Sequence, residues 1–337
     1  MKLFLYALGS GAGHLIRGLA ILRAIHQLGV LESADLVINS PYLNPVKKFF
    51  PSQVVIHQIQ EIPIKQRRLA IRYLVRRLFE KQDYDAVLID SFPYGIYQEL
   101  PGLWKASNMI SSLRWVYIFR RLLPPFEREI FSQLPGNLPY NTIIIPNSSN
   151  IRSFKHIPVE IRESCMKNVN FHWVGQIVAD QSLFEDLKEF PDPLATCSPF
   201  ICHTGASYEV RMLEKNVRKL ELTEFQVKNA SNFTFPLFER LKGAPWVCGS
   251  AGYNLTSELA ASGKPSLLFP FPREFDDQVG RLKDYSDFYP YLIPLASPNA
   301  ADRLMKCLEN PPARPPRKDF TGATHLAELL VKITEKQ

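Results

Sequence analysis

A glycine-rich turn in the C-terminal half carries residue types suited to binding phosphate. An apolar run ends at Cys248, Gly249 and Gly252 follow it, and a helical pattern starts at about Asn254. The first N–H groups of a helix lack intrahelical partners and the helix dipole is positive there, so a helix start favours phosphate oxygens. The glycines let the backbone approach a diphosphate closely, and Asn254 and Thr256 add amide and hydroxyl donors. Ordinary strand–turn–helix punctuation is the alternative for this turn taken alone.

Acidic and amide side chains follow the turn at positions suited to a nucleotide sugar. Glu258, one turn into the helix, is placed to accept hydrogen bonds from ribose hydroxyls. A Gly-Lys-Pro sequence starting at Gly263 ends the helix, a buried strand follows, and Asp277 and Gln278 lie beyond that strand. Open α/β sheets bind ligands outside the carboxyl ends of their strands, so Asp277 and Gln278 could contact sugar hydroxyls.

A second glycine loop lies near the start of the chain, where Gly11 and Gly13 precede His14. It follows a buried strand and opens a helix, as a dinucleotide-binding loop does, but His14 stands where that motif has its third glycine. The second strand also ends without the acid that would bind a ribose. The loop therefore argues against an NAD site.

The C-terminal segment resembles the donor-binding signature of the UDP-glycosyltransferase superfamily, including the MurG-like peptidoglycan N-acetylglucosaminyltransferases. It shares their C-G-x-x-G-x-N-x-x-x-E stretch, their G-x-P turn and their final D-Q pair. The resemblance implies the GT-B fold, with two facing Rossmann-like α/β domains and an interdomain cleft. It also implies that Gly252 and the backbone up to Thr256 hold the donor diphosphate, that Glu258 binds the ribose, and that Asp277 and Gln278 bind the transferred sugar.

The N-terminal loop resembles the G-x-G-G-H opening of the same enzymes, whose N-terminal domain receives the acceptor. The resemblance implies that His14 faces the cleft as general base for an acceptor hydroxyl, a role that suits a histidine. Asp90, at the end of the predicted strand 86–91, could orient it. A plain helix start and a strand-end cap are the alternatives for these two residues. The family has a proline shortly after the histidine, whereas this chain has Arg17-Gly18.

A third loop, residues 203–207, follows a strand and precedes a helix. It resembles the Gly/Ser loop that meets the donor phosphate, so Gly205 and Ser207 are expected in the donor site. It holds fewer glycines than its relatives, and an ordinary connecting loop is the alternative.

Two successive α/β patterns predict two domains with a cleft between them. We place the acceptor domain at 1–155, the donor domain at 170–320, and a terminal helix, which could pack back on the first domain, at 321–337. The predicted strands are 3–8, 34–40, 54–59, 86–91, 115–121, 140–146, 170–178, 199–205, 228–235, 244–250 and 264–272.

The charge is unevenly distributed. Residues 1–150 carry 17 basic and 10 acidic side chains, whereas the remainder carries 23 of each. An arginine-rich helical stretch at 64–79 contributes much of the excess, and an ordinary solvated helix face is the alternative for it. We therefore expect an anionic partner for the first domain, either a lipid-linked or glycolipid acceptor or an anionic membrane surface. No nucleic-acid-binding module is recognisable, so nucleic acid is not expected as a partner.

Neither a metal nor a cofactor is expected. The five cysteines are scattered without a C-x-x-C pair, and the D-x-D at 83–85 precedes a strand instead of ending one. The apolar opening runs into the glycine loop without a cleavage site, which predicts a buried first strand and a cytoplasmic enzyme, peripheral at most on the inner face of a membrane.

Together these patterns predict a metal-independent, inverting glycosyltransferase that uses a nucleotide-diphosphate sugar, by resemblance a UDP-sugar. The transferred group would be a hexose or an N-acetylhexosamine. A UDP-sugar 2-epimerase is one alternative, although it needs further cleft carboxylates. A non-catalytic GT-B protein that binds a nucleotide or a partner is the other.

Overall fold

The computed structural model describes most of the chain, which forms two α/β domains, each built on a parallel sheet. Strands β1 to β7 form the first sheet, in the order β3-β2-β1-β4-β5-β6-β7, and every pair is parallel. These strands are β1 (Lys2–Tyr6), β2 (Ser33–Ile38), β3 (Val54–Gln58), β4 (Ala86–Ile89), β5 (Arg114–Ile118), β6 (Thr142–Ile145) and β7 (Asn170–Trp173). The described residues are 1–9, 11–59, 63–90, 92–101, 113–147, 150–151, 154–185, 198–229, 233, 235–313 and 315–335.

The second sheet has the order β12-β11-β10-β8-β9 and is also parallel throughout. Both orders reverse direction at one point, beside β1 in the first sheet and beside β8 in the second. Such switch points are where open α/β sheets bind ligands. The strands of this sheet are β8 (Phe200–Cys202), β9 (Gln226–Lys228), β10 (Val247–Ser250), β11 (Ser266–Phe269) and β12 (Leu292–Pro294).

Helices connect the strands and cover the faces of both sheets, as parallel pairing requires. In the part of the chain that the structure describes, the short 3₁₀ turns Gln181–Phe184 and Arg317–Phe320 accompany them. The α-helices of the described residues are α1 (Ala12–Gln27), α2 (Leu43–Lys47), α3 (Ile64–Lys81), α4 (Pro124–Asn137), α5 (Val159–Asn168), α6 (Ser207–Lys219), α7 (Leu237–Gly243), α8 (Tyr253–Ser262), α9 (Gln278–Phe288), α10 (Ala300–Glu309) and α11 (Gly322–Glu335). The expected α/β class with two facing domains is confirmed.

The terminal helix α11 packs on α1 in the core of the first domain. The apolar stripe of α1, with Leu15, Leu19 and Leu22, is fully buried, and Leu326 and Leu330 of α11 lie in the same cluster. Because α11 follows the second domain in the chain, its packing ties the two domains together.

The chain crosses between the domains after β7. Gly175 has a φ of +85°, and a Cβ there would lie 3.0 Å from the carbonyl oxygen of Asp319. The next residue, Gln176, donates its backbone N–H to that same oxygen at 2.8 Å. A side chain at 175 would oppose both the backbone angle and this contact.

Two element boundaries differ from the sequence prediction. Strand 170–173 pairs with β6 and completes the first sheet, although the sequence places residue 170 at the start of the second domain. The strand predicted at 228–235 is β9, which ends at Lys228. Residues 230–232 and 234 of that prediction lie outside the described residues. The pattern of apolar residues locates a strand but not the sheet that it joins.

Candidate active site

A cavity of about 500 Å³ lies between the two sheets, at the carboxyl ends of their strands. Leu8, Phe92 and Arg120, which follow β1, β4 and β5, line it from the first domain. His203 and Ser250, at the ends of β8 and β10, line it from the second domain. The cavity therefore joins the switch points of both sheets, where a ligand is expected to bridge the domains.

Two helix starts face this cavity from opposite domains. The N-cap residues are Gly11 for α1 and Gly252 for α8, so no N-cap side chain covers the first N–H groups of either helix. Both glycines line the cavity, and the Asn254 side chain donates to the carbonyl oxygen of Gly13 at 2.9 Å. The positive ends of two helices thus converge on one space, which favours an anionic ligand.

Tyr253, the first residue of α8, connects the two domains at the cavity wall. Its hydroxyl donates to the carbonyl oxygen of Pro146 at 2.6 Å and accepts from the backbone N–H of Ile177 at 3.1 Å. The Arg17 guanidinium lies over its ring, 4.8 Å from the centroid. The helix start that faces the anion site is therefore held by residues of the first domain and of the crossing segment.

His14 is the third residue of α1, in the first turn of the helix, and it contacts a buried ion pair. Its Nδ1 lies 3.2 Å from Oδ2 of Asp90, and Nε of Arg17 donates to both oxygens of Asp90 at 2.8 and 2.9 Å. The His14 ring also packs on Gly9, where a Cβ would lie 2.0 Å from Cδ2 of the imidazole. When Nδ1–H donates to Asp90, Nε2 keeps its lone pair and can accept a proton.

Burial and two arginine charges favour a neutral His14, and the Arg17 charge with His14 favours an ionised Asp90. Burial lowers the pKa of His14, Asp90 raises it, and the charges of Arg120 and Arg17 lower it again, so that it lies below its ordinary value. Burial raises the pKa of Asp90, but the Arg17 charge and His14 outweigh that effect, and the pKa is lowered. A neutral imidazole oriented by a carboxylate is the form that serves as general base.

Glu258 of α8 lines the cavity with a carboxyl group that no described side chain contacts through a hydrogen bond or ion pair. Burial raises its pKa from 4.5 to about 8. A carboxyl group without a protein partner, at the edge of a cavity, is suited to accept ligand hydroxyls.

No protein-family model and no curated protein matches this chain. Solved structures do match it over nearly its full length. The kitacinnamycin glycotransferase aligns over 98% of both chains with a TM-score of 0.57 and 13% identity. MurG of Acinetobacter baumannii covers 98% of this chain and 99% of its own at a TM-score of 0.51 and 13% identity. The UDP-GlcNAc 2-epimerase of Methanocaldococcus jannaschii covers 100% of both chains at 0.56 and 12%.

The chain has the GT-B fold. The predicted fold is thereby confirmed. Within this GT-B cleft, the structure brings together six of the residues predicted from sequence as site residues, three from each domain. These are Gly11, Gly13, His14, Gly252, Asn254 and Glu258.

The third predicted loop lies beside the GT-B cavity without placing Gly205 or Ser207 on its wall. His203 of this loop does line the cavity, and its Nε2 lies 2.7 Å from Oε2 of the buried Glu209. Arg273 donates to the same oxygen at 3.0 Å. A Cβ at Gly205 would lie 2.2 Å from that oxygen, so this glycine makes room for the ion pair. Ser207 is exposed at the start of α6.

The side chains of the D-Q pair, Asp277 and Gln278, make hydrogen bonds within the protein. Asp277 caps α9 by accepting from the backbone N–H of Gly280 at 2.9 Å, and it accepts from Nε of Arg121 at 2.8 Å. Gln278 accepts through Oε1 from the backbone N–H of Phe271 at 3.1 Å. Neither lines the cavity, whereas the neighbouring acids Glu274 and Asp276 do. Contact of Asp277 and Gln278 with a sugar stays a prediction.

Two further predicted donor residues and the predicted partner of His14 lie behind the cavity wall. A Cβ at Gly249 would lie 2.6 Å from the carbonyl oxygen of Cys202, so this glycine is needed for packing between strands. Thr256 is fully buried, and its backbone N–H bonds to the carbonyl oxygen of Gly252 at 3.0 Å. Asp90 is also fully buried and acts on the cavity through His14 and Arg17.

The cavity is also lined by basic residues that the sequence analysis did not assign to the site, namely Arg17, Arg120, Lys228, Arg240 and Arg273. The sequence indicated Arg17 only as a departure from the resembled enzymes, which have a proline shortly after the histidine where this chain has Arg17-Gly18. Arg120 and Arg273 follow strands, Lys228 ends a strand and Arg240 lies in α7. A single basic residue at such a position forms no distinctive local pattern. Their common location results from the sheet orders.

Within the described ranges, no three His, Cys, Asp or Glu side chains are grouped as metal ligands would be. In the same part of the chain, every helix is too short or too polar to traverse a lipid bilayer.

Proposed function

We propose that this chain is a glycosyltransferase that moves a sugar from a nucleotide-diphosphate donor to an acceptor hydroxyl. The observation that carries the proposal is the cavity itself. Two uncapped helix starts face it from opposite domains, with His14 on one side and Glu258 on the other. One half supplies an oriented base and the other supplies an anion site with a carboxyl group beside it.

The donor is proposed to lie along the second domain. Its diphosphate would bind the start of α8 around Gly252 and Asn254, where backbone N–H groups and the helix dipole favour negative charge. Its ribose would donate hydroxyl hydrogens to Glu258. UDP is the nucleotide that the sequence resemblance implies, and UDP- and TDP-bound GT-B structures are among those that this chain resembles.

The proposed reaction is a single displacement with inversion. The acceptor oxygen bonds to the anomeric carbon while Nε2 of His14 takes the hydroxyl proton. The bond from the anomeric carbon to the β-phosphate oxygen breaks, and its electron pair leaves with the nucleoside diphosphate. The starts of α1 and α8 stabilise the negative charge that develops on this leaving group. Asp90 keeps the imidazole oriented, and burial together with the charges of Arg120 and Arg17 keeps it neutral before the proton arrives.

The acceptor is proposed to be lipid-linked and met at an anionic membrane surface through α3. Leu69 and Tyr73 of this helix are 68% and 65% exposed, and because they are four residues apart they lie on one face of the helix. Arg68, Arg72 and Arg76 are exposed on the same helix. An exposed face that combines apolar and basic side chains is typical of helices that rest on lipid headgroups.

A 2-epimerase of UDP-sugars is the second candidate, favoured by one observation. No further carboxylates for such a reaction are recognisable from the sequence pattern, but Glu274 and Asp276 both line the cavity. Asp276 is held by Arg281, whose Nη1 donates to it at 3.1 Å, so Glu274 is the acid with greater freedom to act. Epimerisation would need neither an acceptor nor release of the nucleotide.

The test is incubation with a panel of UDP-, TDP- and GDP-sugars, with and without glycolipid acceptors. We expect one donor to be bound and to release its nucleoside diphosphate faster with acceptor, and Glu258→Gln to weaken binding. Glu160→Gln, at an exposed position on α5, is the matched control and should change nothing. A new epimer without nucleotide release would support the second candidate, and no binding to any donor would refute both.

A further inference from the structure

Two basic side chains line the cavity without any acidic partner. Lys228 stands at the carboxyl end of β9 and Arg240 lies in α7, and both are half-buried. Neither side chain makes a hydrogen bond or an ion pair with a described residue. By contrast, Arg273 is paired with Glu209 and Arg17 with Asp90. A charge that loses part of its hydration without a partner is costly, so these two side chains are placed to meet a ligand.

The sheet order places this pair beyond the proposed ribose site. Strand β8 lies between β10, which leads into α8, and β9, the outermost strand. Cys202 of β8 is in register with Lys228. Burial raises the pKa of the Cys202 thiol, the Glu258 charge raises it further and the Arg240 charge lowers it, so both charged groups lie near this thiol. A nucleotide with its diphosphate at the start of α8 and its ribose at Glu258 therefore directs its base towards Lys228 and Arg240.

The walls at this end of the cavity suit a planar base. Phe233, Phe235 and Leu237 line it, and the Phe233 ring contacts Tyr42 with centroids 4.9 Å apart. The hydroxyl of Tyr42 donates to the carbonyl oxygen of Thr204 at 2.7 Å, which fixes that ring from the first domain. The cavity thus offers apolar and aromatic side chains as well as the two cations to a ligand.

We propose that Lys228 and Arg240 recognise the nucleobase of the donor and select bases whose exposed edge carries carbonyl oxygens. Both side chains can only donate hydrogen bonds. Uracil and thymine present a carbonyl oxygen at C4 and guanine presents one at C6, whereas cytosine and adenine carry a donating amino group at the same positions. Two facing donors leave each other unpaired, and burial makes that costly. This inference rests on the proposed function, because it needs a nucleotide in the cavity.

The experiment measures dissociation constants of UDP, TDP, GDP, CDP and ADP by titration calorimetry, without sugar or turnover. We expect UDP to bind the wild type about tenfold or more tightly than CDP. In Arg240→Gln and in Lys228→Gln, the ratio should fall below about threefold, because a glutamine amide offers an acceptor oxygen to the amino group. Arg211→Gln, at an exposed position on α6, should keep the wild-type ratio.

The outcomes separate this inference from the function on which it rests. Equal affinity of the wild type for UDP and CDP, or an unchanged ratio in both glutamine variants, would overturn base recognition and leave the donor site intact. Glu258→Gln should weaken all five nucleotides alike, since the ribose is common to them. If the folded wild type binds none of the five, the donor class and the base recognition are both overturned.

Discussion

At the residue scale, the decisive arrangement is the buried Asp90 between His14 and Arg17. Asp90 orients the imidazole, and burial, together with the charges of Arg120 and Arg17, opposes its protonation. The sequence pattern indicated His14 and Asp90 as a pair, and the structure places them in contact. Arg17 was visible only as a departure from the family pattern, because a local pattern does not reveal a partner 73 residues away.

His14→Gln tests the base directly. The glutamine keeps a polar side chain of similar reach but cannot accept a proton, so turnover should fall by about 10²–10⁴-fold. The dissociation constant for the nucleoside diphosphate should stay at the wild-type value. His26→Gln, near the end of the same helix, is the matched control. Wild-type turnover in His14→Gln, measured by nucleotide release, would remove this residue from the mechanism.

The raised pKa of Glu258 predicts that the stability of the fold depends on pH. Its pKa is 4.5 in an unfolded chain and about 8 in the fold, so the folded state holds its proton over that window while the unfolded state has lost it. The free energy of unfolding therefore falls as the pH rises from 4.5 to about 8. Glu258→Gln removes this loss, and its Tm should exceed that of the wild type more at pH 8 than at pH 4.5. A constant Tm difference would contradict the assignment.

At the element scale, helix starts and strand ends do most of the positioning. The starts of α1 and α8 were predictable from sequence because glycine turns after apolar runs are local patterns. The D-Q pair shows the limit of such patterns. Asp277 is the N-cap of α9, and it is the preceding residue, Asp276, that lines the cavity. Which of two consecutive acids faces a cleft depends on the rotation of the loop, and residue spacing does not encode it.

Helix α3 carries the prediction of membrane contact. Arg72→Glu together with Arg76→Glu should weaken binding to phosphatidylglycerol vesicles by about tenfold or more, since each basic residue near an anionic surface contributes about 1 kcal/mol. Lys215→Glu together with Lys219→Glu makes the same charge change on α6 and should leave binding unaltered. Binding is measured by vesicle sedimentation, with phosphatidylcholine vesicles as the uncharged reference. Equal weakening by both double variants would assign the effect to overall charge.

At the scale of the whole molecule, the two domains are joined at the wall of the cavity itself. The Tyr253 hydroxyl bonds to residues on the other side of the cleft, and Asn254 bonds to the N-terminal loop. The contacts that hold the domains together are therefore the ones that set the distance between the anion site and His14. Domain docking and donor binding should respond to the same substitutions.

Tyr253→Phe tests this link. The loss of the hydroxyl leaves Pro146 and the buried Ile177 without their hydrogen-bond partner, so the free energy of unfolding should fall by about 1–3 kcal/mol. We expect a larger radius of gyration in solution scattering and a raised KM for the donor. Tyr208→Phe, at an exposed tyrosine on α6, is the control. An unchanged radius with an unchanged KM would show that the hydroxyl does not set the domain arrangement.

The sequence by itself determined the fold class, because apolar runs alternating with helical stripes leave few ways to bury a parallel sheet. It also determined the two glycine turns that open helices, since those depend on a few adjacent residues. Only the tertiary structure decided which side chains meet. Asn254 and Gly13 are 241 residues apart, and their contact depends on how two sheets face each other. Lys228 and Arg240 lie in one cavity because β9 is the edge strand beside β8, an order that no local pattern contains.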